Sequence, residues 1–228
     1  MDCFKSTGTE ITEVRYPGMF RNIEVRDNIE VNIRQGNEYR VDVIAGKNMV
    51  KNVTTVVTDT TLKIGNSATC NFVRGYKRKI VVNITMPYVS KIFNYGVNSI
   101  ILDAGFNQDS TLYVRNENTG DTYINGKFKL VNTSSHGAGD MYLSGSSKIL
   151  LVYSNGTNFT FAEKFTVTDQ IFISNYSIGD AYLNLQGVTD FGYYIWKQGN
   201  IFYYGNPQSI NNLGAGKADG KGQLIKKD

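Results

Sequence analysis

Five segments of the chain open alike. Gly120-Asp121-Thr122-Tyr123-Ile124, Gly139-Asp140-Met141-Tyr142-Leu143, Gly156-Thr157-Asn158-Phe159-Thr160, Gly179-Asp180-Ala181-Tyr182-Leu183 and Gly199-Asn200-Ile201-Phe202-Tyr203 recur at intervals of 17 to 23 residues, with a weaker copy at Gly220. Self-similarity at a period of about 20 residues marks a solenoid. Between the glycines lie short apolar runs such as Lys129-Leu130-Val131, Lys148-Ile149-Leu150-Leu151-Val152 and Gln170-Ile171-Phe172-Ile173. A Gly- and Asn-rich coil of that length holds two or three short strands and no helix. The expectation over residues 96–228 is an all-β, right-handed parallel β-helix, or β-solenoid, each coil burying its apolar face on the next.

Stacking assigns a role to each phase of the repeat, because equivalent residues of successive coils lie one strand spacing apart. The glycine is expected at a tight bend with positive φ. The Asp or Asn after it supplies an acceptor for the turn. Third after the glycine stands an aromatic in all five copies: Tyr123, Tyr142, Phe159, Tyr182 and Phe202. If Ile124, Leu143, Leu183 and Ile201 point inward, alternation puts these rings on an outer face. They are then either a ladder that stabilises the stack or an exposed strip for sugar rings or a protein surface. The third copy carries both Phe159 and Phe161, so its register is open.

Residues 1–19 form an N-terminal segment, and 20–95 follow a different rule. Ile23, Val25, Ile29, Val31 and Ile33 alternate with Glu24, Arg26, Glu30, Asn32 and Arg34, and Gln35-Gly36-Asn37 makes a turn before Tyr39, Val41 and Val43. Period two is the pattern of a half-buried strand. Further strands are expected at Val53–Val57, Leu62–Ile64, Arg78–Met86, which Pro87 ends, and Ser90–Phe93. A β-rich N-terminal half thus precedes the solenoid.

Composition narrows the class. With 41% hydrophobic residues, 15 Tyr and 12 Phe, the chain has enough apolar surface to fold. A formal charge of +4 over 228 residues is small, and the dense basic run Arg74, Lys77, Arg78, Lys79 reads as a solvated strand entrance, so no nucleic-acid partner is expected. No apolar stretch reaches the 18 or so residues of a membrane-spanning helix. Met1-Asp2-Cys3 reads like a start placed before a mature sequence, which suggests export with the leader removed. In an oxidising compartment Cys3 and Cys70 would pair, closing a loop that adds about 3–4 kcal/mol; two unrelated buried thiols are the alternative. Asp2 does not suit a lipid-bearing Cys3, which leaves a lipidated cysteine in a removed segment as the route to an anchor.

Catalytic patterns are thin. His136 is the only histidine, and Ser134, His136 and Asp140 share one Gly-rich turn rather than converging through space as a triad must. Asp121, Asp140 and Asp180 suit turn capping better than calcium, because the dense ligand pattern of calcium-binding repeats is missing. Asp103, Asp109, Glu117, Glu163, Asp169 and Asp190 are scattered by repeat phase, not paired for glycoside chemistry. Gly214-Ala215-Gly216-Lys217 lacks the spacing of a phosphate loop. No catalytic residue, metal or cofactor is expected.

The sequence resembles the head GIN domain family, described as putative auto-transporter adhesins and common in Bacteroidetes. The resemblance rests on Phe20-Arg21-Asn22-Ile23-Glu24-Val25 with Ile29-Glu30-Val31-Asn32-Ile33-Arg34-Gln35-Gly36, on Cys3–Gly8 and Asn71–Lys79, and on the ending Gly199-Asn200-Ile201-Phe202-Tyr203-Tyr204-Gly205-Asn206-Pro207. Asn200 departs from the family's usual Asp. The resemblance implies a β-helical fold like that of pectin lyases without their catalytic residues. It also implies an exported protein of the periplasm, outer membrane or cell surface with an adhesive role. It transfers no ligand residues. The expected partner is a host or envelope glycan or protein surface, met through Tyr123, Tyr142, Phe159, Tyr182 and Phe202. The alternatives are a structural protein of the envelope, self-associating through exposed sheet or end-coil edges, and a degenerate polysaccharide-active enzyme.

Overall fold

The computed structural model describes residues 7–68, 79–214 and 221–228. Seventeen strands follow in chain order, with no α-helix among the described residues. They are β1 (Glu10–Arg15), β2 (Asn22–Val25), β3 (Ile29–Gln35), β4 (Arg40–Gly46), β5 (Val53–Thr58), β6 (Thr61–Asn66), β7 (Ile80–Met86), β8 (Lys91–Asn94), β9 (Ile100–Asn116), β10 (Thr122–Ser135), β11 (Met141–Gly156), β12 (Thr160–Ser177), β13 (Ala181–Asn184), β14 (Asp190–Ile195), β15 (Ile201–Tyr204), β16 (Ser209–Asn212) and β17 (Leu224–Lys226). They form a β-solenoid of about six turns.

The long strands β9–β12 each run round a coil and bend at corners. Between β9 and β10 the register shifts after Ile124 and again after Phe128, dividing a coil into three faces. On the first face Leu102, Ile124, Leu143, Ala162 and Leu183 succeed one another inward, every one of them buried. On the second, Phe106 lies beside Gly126 and Phe165 beside Gly145, so a large ring in one coil meets a residue without a side chain in the next. On the third, Leu112, Val131, Leu150, Ile171 and Phe191 fill the core. Each fully buried side chain of this kind contributes roughly 1.5–3 kcal/mol.

The N-terminal strands belong to the same sheet. β2 lies parallel between β6 and β8, and β3 lies parallel between β7 and β9, so the first coil carries the alternating segment read above. Beyond it the direction reverses: β4 runs antiparallel to β7 and β1 to β4 on the first face, and β5 runs antiparallel to β6 on the third. These antiparallel strands cover the edge that a bare first coil would present.

Two polar ladders tie the turns. Asp121 Oδ1 accepts the Asp140 N–H at 2.9 Å, Asp140 Oδ1 the Phe159 N–H at 2.8 Å, Asp180 Oδ1 the Asn200 N–H at 2.7 Å and Asn200 Oδ1 the Gln223 N–H at 2.9 Å. These three carboxylates and one amide cap the turn of the following coil. Inside, Asn94, Asn116 and Asn175 are fully buried and donate through Nδ2 to the carbonyls of the repeat glycines: Asn116 to Gly120 and Gly139, Asn175 to Gly179 and Gly199.

The reason for the glycines differs from the expectation. Among the five, only Gly156 has positive φ, at 115°. At Gly120, Gly139, Gly179 and Gly199 an added Cβ would stand 2.1–2.2 Å from a carbonyl oxygen of the preceding coil. Close stacking, not the left-handed conformation, demands them. Gly220 lies outside the described residues; Gly222 fills the role, its Cβ position 2.3 Å from the Gly199 oxygen. Cys3, Cys70, Arg74, Lys77 and Arg78 also lie outside the described residues, while Lys79 pairs with Glu30 at 3.1 Å.

Candidate functional site

The alternation of the first face turns one column of side chains outward. Backbone register sets Tyr123 beside Tyr142, Tyr142 beside Phe161, Phe161 beside Tyr182 and Tyr182 beside Phe202. The rings follow, with centroids 4.5, 4.8, 5.4 and 5.1 Å apart and planes within 15° of parallel. Four of the five rings named from the repeat are therefore rungs. The fifth rung is Phe161, not Phe159. Thr160 pairs with Met141 as the inward residue of its coil, so the outward position falls one residue later. Phe159 stands before β12, half-buried, with its ring 6.1 Å from that of Phe161.

Tyrosine hydroxyls anchor the stack to the acid ladder. Tyr123 and Tyr142 each donate to Oδ2 of the aspartate two residues before, Asp121 and Asp140, at 3.4 Å. Burial, reinforced by those carboxylates, raises both phenols above the usual range, Tyr142 to about 12. Burial, followed by Asp121, raises Asp140 too. The stack is thus uncharged along its length at neutral pH, apart from the acids at its flank.

The column continues past the rings at both ends. Beyond Phe202 comes Ile225 of β17, and Lys227, two residues on, places Nζ 4.5 Å from the Phe202 ring centroid. Beyond Tyr123 come Ile101 of β9, Asn32 of β3, Asn83 of β7 and Asp42 of β4. Here the rings give way to short side chains and the surface is hollow. One cavity of about 250 Å³ touches Tyr123, Tyr142, Ile101, Asp103, Asn125 and Ser144. A second of about 410 Å³ shares Ile101 and Asp103 with it and reaches Asn32, Arg34, Asp42 and Asn83. Asp103, on both linings, opens a bulge with Ala104 and Gly105: Leu102 pairs with Ile124 and Phe106 with Gly126, so this stretch of β9 holds two residues more than the facing stretch of β10.

A second aromatic ladder lies along the outer side of the third face. His136 meets Tyr153 at 5.2 Å, Tyr153 meets Tyr176 at 5.5 Å and Tyr176 stacks on Trp196 at 5.1 Å. None of these was singled out above as a binding residue. Yet each stands three before a repeat glycine, so the phase that finds them was present in the sequence. Trp196 Nε1 is buried without a hydrogen-bond partner among the described residues.

No triad forms around His136. Its Nε2 lies 2.7 Å from Ser134 Oγ, but both oxygens of Asp140 are engaged elsewhere, by Phe159 N–H and Tyr142 O–H. Among the described residues no three His, Cys, Asp or Glu side chains are grouped to hold a metal, and no helix is long and apolar enough to cross a membrane.

Known proteins share this architecture. A crystal structure from Bacteroides fragilis NCTC 9343, described as "a putative adhesin", superposes with a TM-score of 0.83 over 96% of this chain and 97% of its own, at 22% identity. One from Parabacteroides merdae ATCC 43184 gives 0.67 over 98% of both chains at 17% identity. A Parabacteroides distasonis ATCC 8503 structure, described as "Putative lipid binding protein", gives 0.65 over 98% of both at 14% identity. No curated protein matches the sequence. The family model "Putative auto-transporter adhesin, head GIN domain" matches residues 19–207, and the chain belongs to that family.

Proposed function

We propose that the chain is a non-enzymatic adhesion module of the cell envelope, exported to the periplasm or outer surface, that holds a glycan or protein partner through its first face. One observation carries this reading. A single outward column runs from Asp42 through five parallel rings to Ile225, with the Lys227 ammonium over the last ring and a polar hollow at the N-terminal end. Such a flank combines apolar area with fixed hydrogen-bonding groups, the composition of a recognition surface. Membership of an adhesin family agrees with it.

The test is adhesion itself. Beads coated with the protein are expected to hold glycan- or envelope-protein-coated surfaces, and the alanine variants Tyr123→Ala and Tyr142→Ala are expected to release them. Retention unchanged by both variants would remove the first face from the reading. Incubation with acidic glycans and calcium is expected to yield no unsaturated product; product formation would replace adhesion with catalysis. Sedimentation over a concentration range separates self-assembly, which would make the sheet edges the working surface instead.

A further inference from the structure

An aromatic side chain recognises a sugar through its face, against which the C–H groups of the pyranose ring pack. Inside the ladder no face is available. Tyr142, Phe161 and Tyr182 each have a ring on both sides at 4.5–5.4 Å, and Phe202 has Tyr182 on one side and the Lys227 ammonium on the other. Tyr123 is the end ring with neither a second ring nor a cation on its other side; its register neighbour there is Ile101. The cavities described above lie at that end, and their combined size falls in the usual range of roughly 300–1,000 Å³ for small-molecule sites.

The polar lining suits hydroxyl groups. Asn32 Nδ2 donates to Asn83 Oδ1 at 3.0 Å, which leaves Asn32 Oδ1 as an acceptor and Asn83 Nδ2 as a donor side by side. Arg34, an exposed residue on the lining, is oriented by Nε donating to Thr85 Oγ1 at 2.9 Å. Asp103 holds the bulge through Oδ1, which accepts the Ala104 N–H at 2.7 Å, and offers Oδ2. Adjacent donors and acceptors of this kind match vicinal diols. The lining carries two carboxylates and one guanidinium, and Asp42 is already paired with Arg40 at 2.8 Å. It therefore has no excess positive charge with which to hold a uronate or sulfated sugar.

The geometry points to a carbohydrate subsite at the N-terminal end of the ladder, where a neutral or amino-sugar pyranose stacks on Tyr123 and is hydrogen-bonded by Asn32, Asn83, Arg34 and Asp103. This assignment rests on the adhesion reading and narrows it: the rings beyond Tyr123 hold the stack together, and the end ring meets the ligand. Ile101 decides where the stack stops, and so creates the opening.

Titration of a panel of neutral, amino-sugar and uronate oligosaccharides tests it. Binding is expected for neutral or amino-sugar members and not for uronates. Tyr123→Ala and Asn32→Ala are expected to weaken binding at least about tenfold, Tyr182→Ala to weaken it less than Tyr123→Ala does, and Tyr153→Ala, on the third-face ladder, to stay within about twofold of the parent. Ile101→Tyr, which extends the stack into the hollow, is expected to abolish binding without loss of thermal stability, so the result does not hinge on a variant that unfolds. A blank panel, preference for uronates, a Tyr182→Ala loss equal to that of Tyr123→Ala, or full binding by Ile101→Tyr overturns the assignment. If the panel is blank while coated beads still adhere to protein surfaces, the sugar site falls and adhesion stands. If the beads hold nothing, the broader reading falls with it.

Discussion

A Cβ placed on Gly139 would stand 2.2 Å from the Gly120 oxygen, a backbone atom of the preceding coil. Gly139→Ala must therefore push two coils apart, and its cost is expected at the upper end of the range for overpacking, about 3 kcal/mol. Gly105→Ala is the control: its Cβ position has no atom within 4 Å and its φ is not positive, so the change is expected within about 0.5 kcal/mol. Chemical denaturation measures both. The repeat of glycines was legible in the sequence, but not which of glycine's two permissions it uses, because positive φ and close approach leave the same letter. Asp140 gives a pH-dependent case. Burial raises its pKa above the usual carboxylate value of 3.8, so the folded state holds the proton longer than the unfolded one. Stability from this group is therefore present at low pH and declines as pH rises from 3.8 through the folded pKa. Asp140→Asn keeps the Oδ1 acceptor for Phe159, as Asn200 does for Gln223. It is expected to match or exceed the parent in thermal stability at pH 7 and to lose that advantage near pH 3. Asp140→Ala, which orphans the N–H, is expected to cost about 1 kcal/mol at pH 7.

The ladder is a property of the strands rather than of any ring. Its rungs coincide with the repeat wherever a coil opens Gly-Asp-x-Tyr, because the turn acid and the outward ring are fixed together by the Asp–Tyr hydrogen bond. Where the third copy reads Gly-Thr-Asn-Phe, Asn158 is instead buried, its Nδ2 donating to the Gly137 and Asn155 carbonyls, and the outward phase moves two residues to Phe161. Sequence alignment on glycine alone has no access to that local rearrangement. The two phenylalanines consequently differ in what they support. Phe161→Ala removes stacking with both Tyr142 and Tyr182 and is expected to cost about 2–3 kcal/mol, from roughly 0.5–1.5 kcal/mol per ring pair plus lost burial. Phe159→Ala loses one more distant pair and is expected to cost about 1 kcal/mol or less. Equal effects in urea denaturation would mean that the registered stack is not what stabilises this face. The second ladder was equally open to inspection three residues before each glycine. Its members His136, Tyr153, Tyr176 and Trp196 share a phase but not a residue type, and that mixture hid them.

In the whole molecule the two ends are built differently. The N-terminal coil is joined through β2–β8 and β3–β9, pairings between residues some 70 apart, which no local pattern of alternation encodes. It is then covered by the antiparallel strands β1, β4 and β5. Toward the other end the strands shorten to three or four residues, and among the described residues β16 and β17 each pair with a single neighbour, β14 and β15. In a stacked array each coil is stabilised mainly by its nearest neighbours, so a coil with one short partner opens at lower free energy than one held on both sides. The single tryptophan reports on this directly. Trp196 follows β14 and stacks between Tyr176 and Tyr194, at 5.1 and 5.8 Å. Loss of the last coils therefore changes its fluorescence while β9–β11 still contribute full β-sheet signal in the far ultraviolet. The fluorescence midpoint in urea is expected at lower concentration than the circular-dichroism midpoint. Hydrogen exchange is expected to be fastest in β16 and β17. Coincident transitions would mean that the solenoid unfolds as one cooperative unit, with coupling between coils stronger than the difference between their ends. With separated transitions, the Tyr123 hollow lies in the more persistent part, between the antiparallel cap and the long strands β9–β11, where a recognition surface is held rigid while the far end opens.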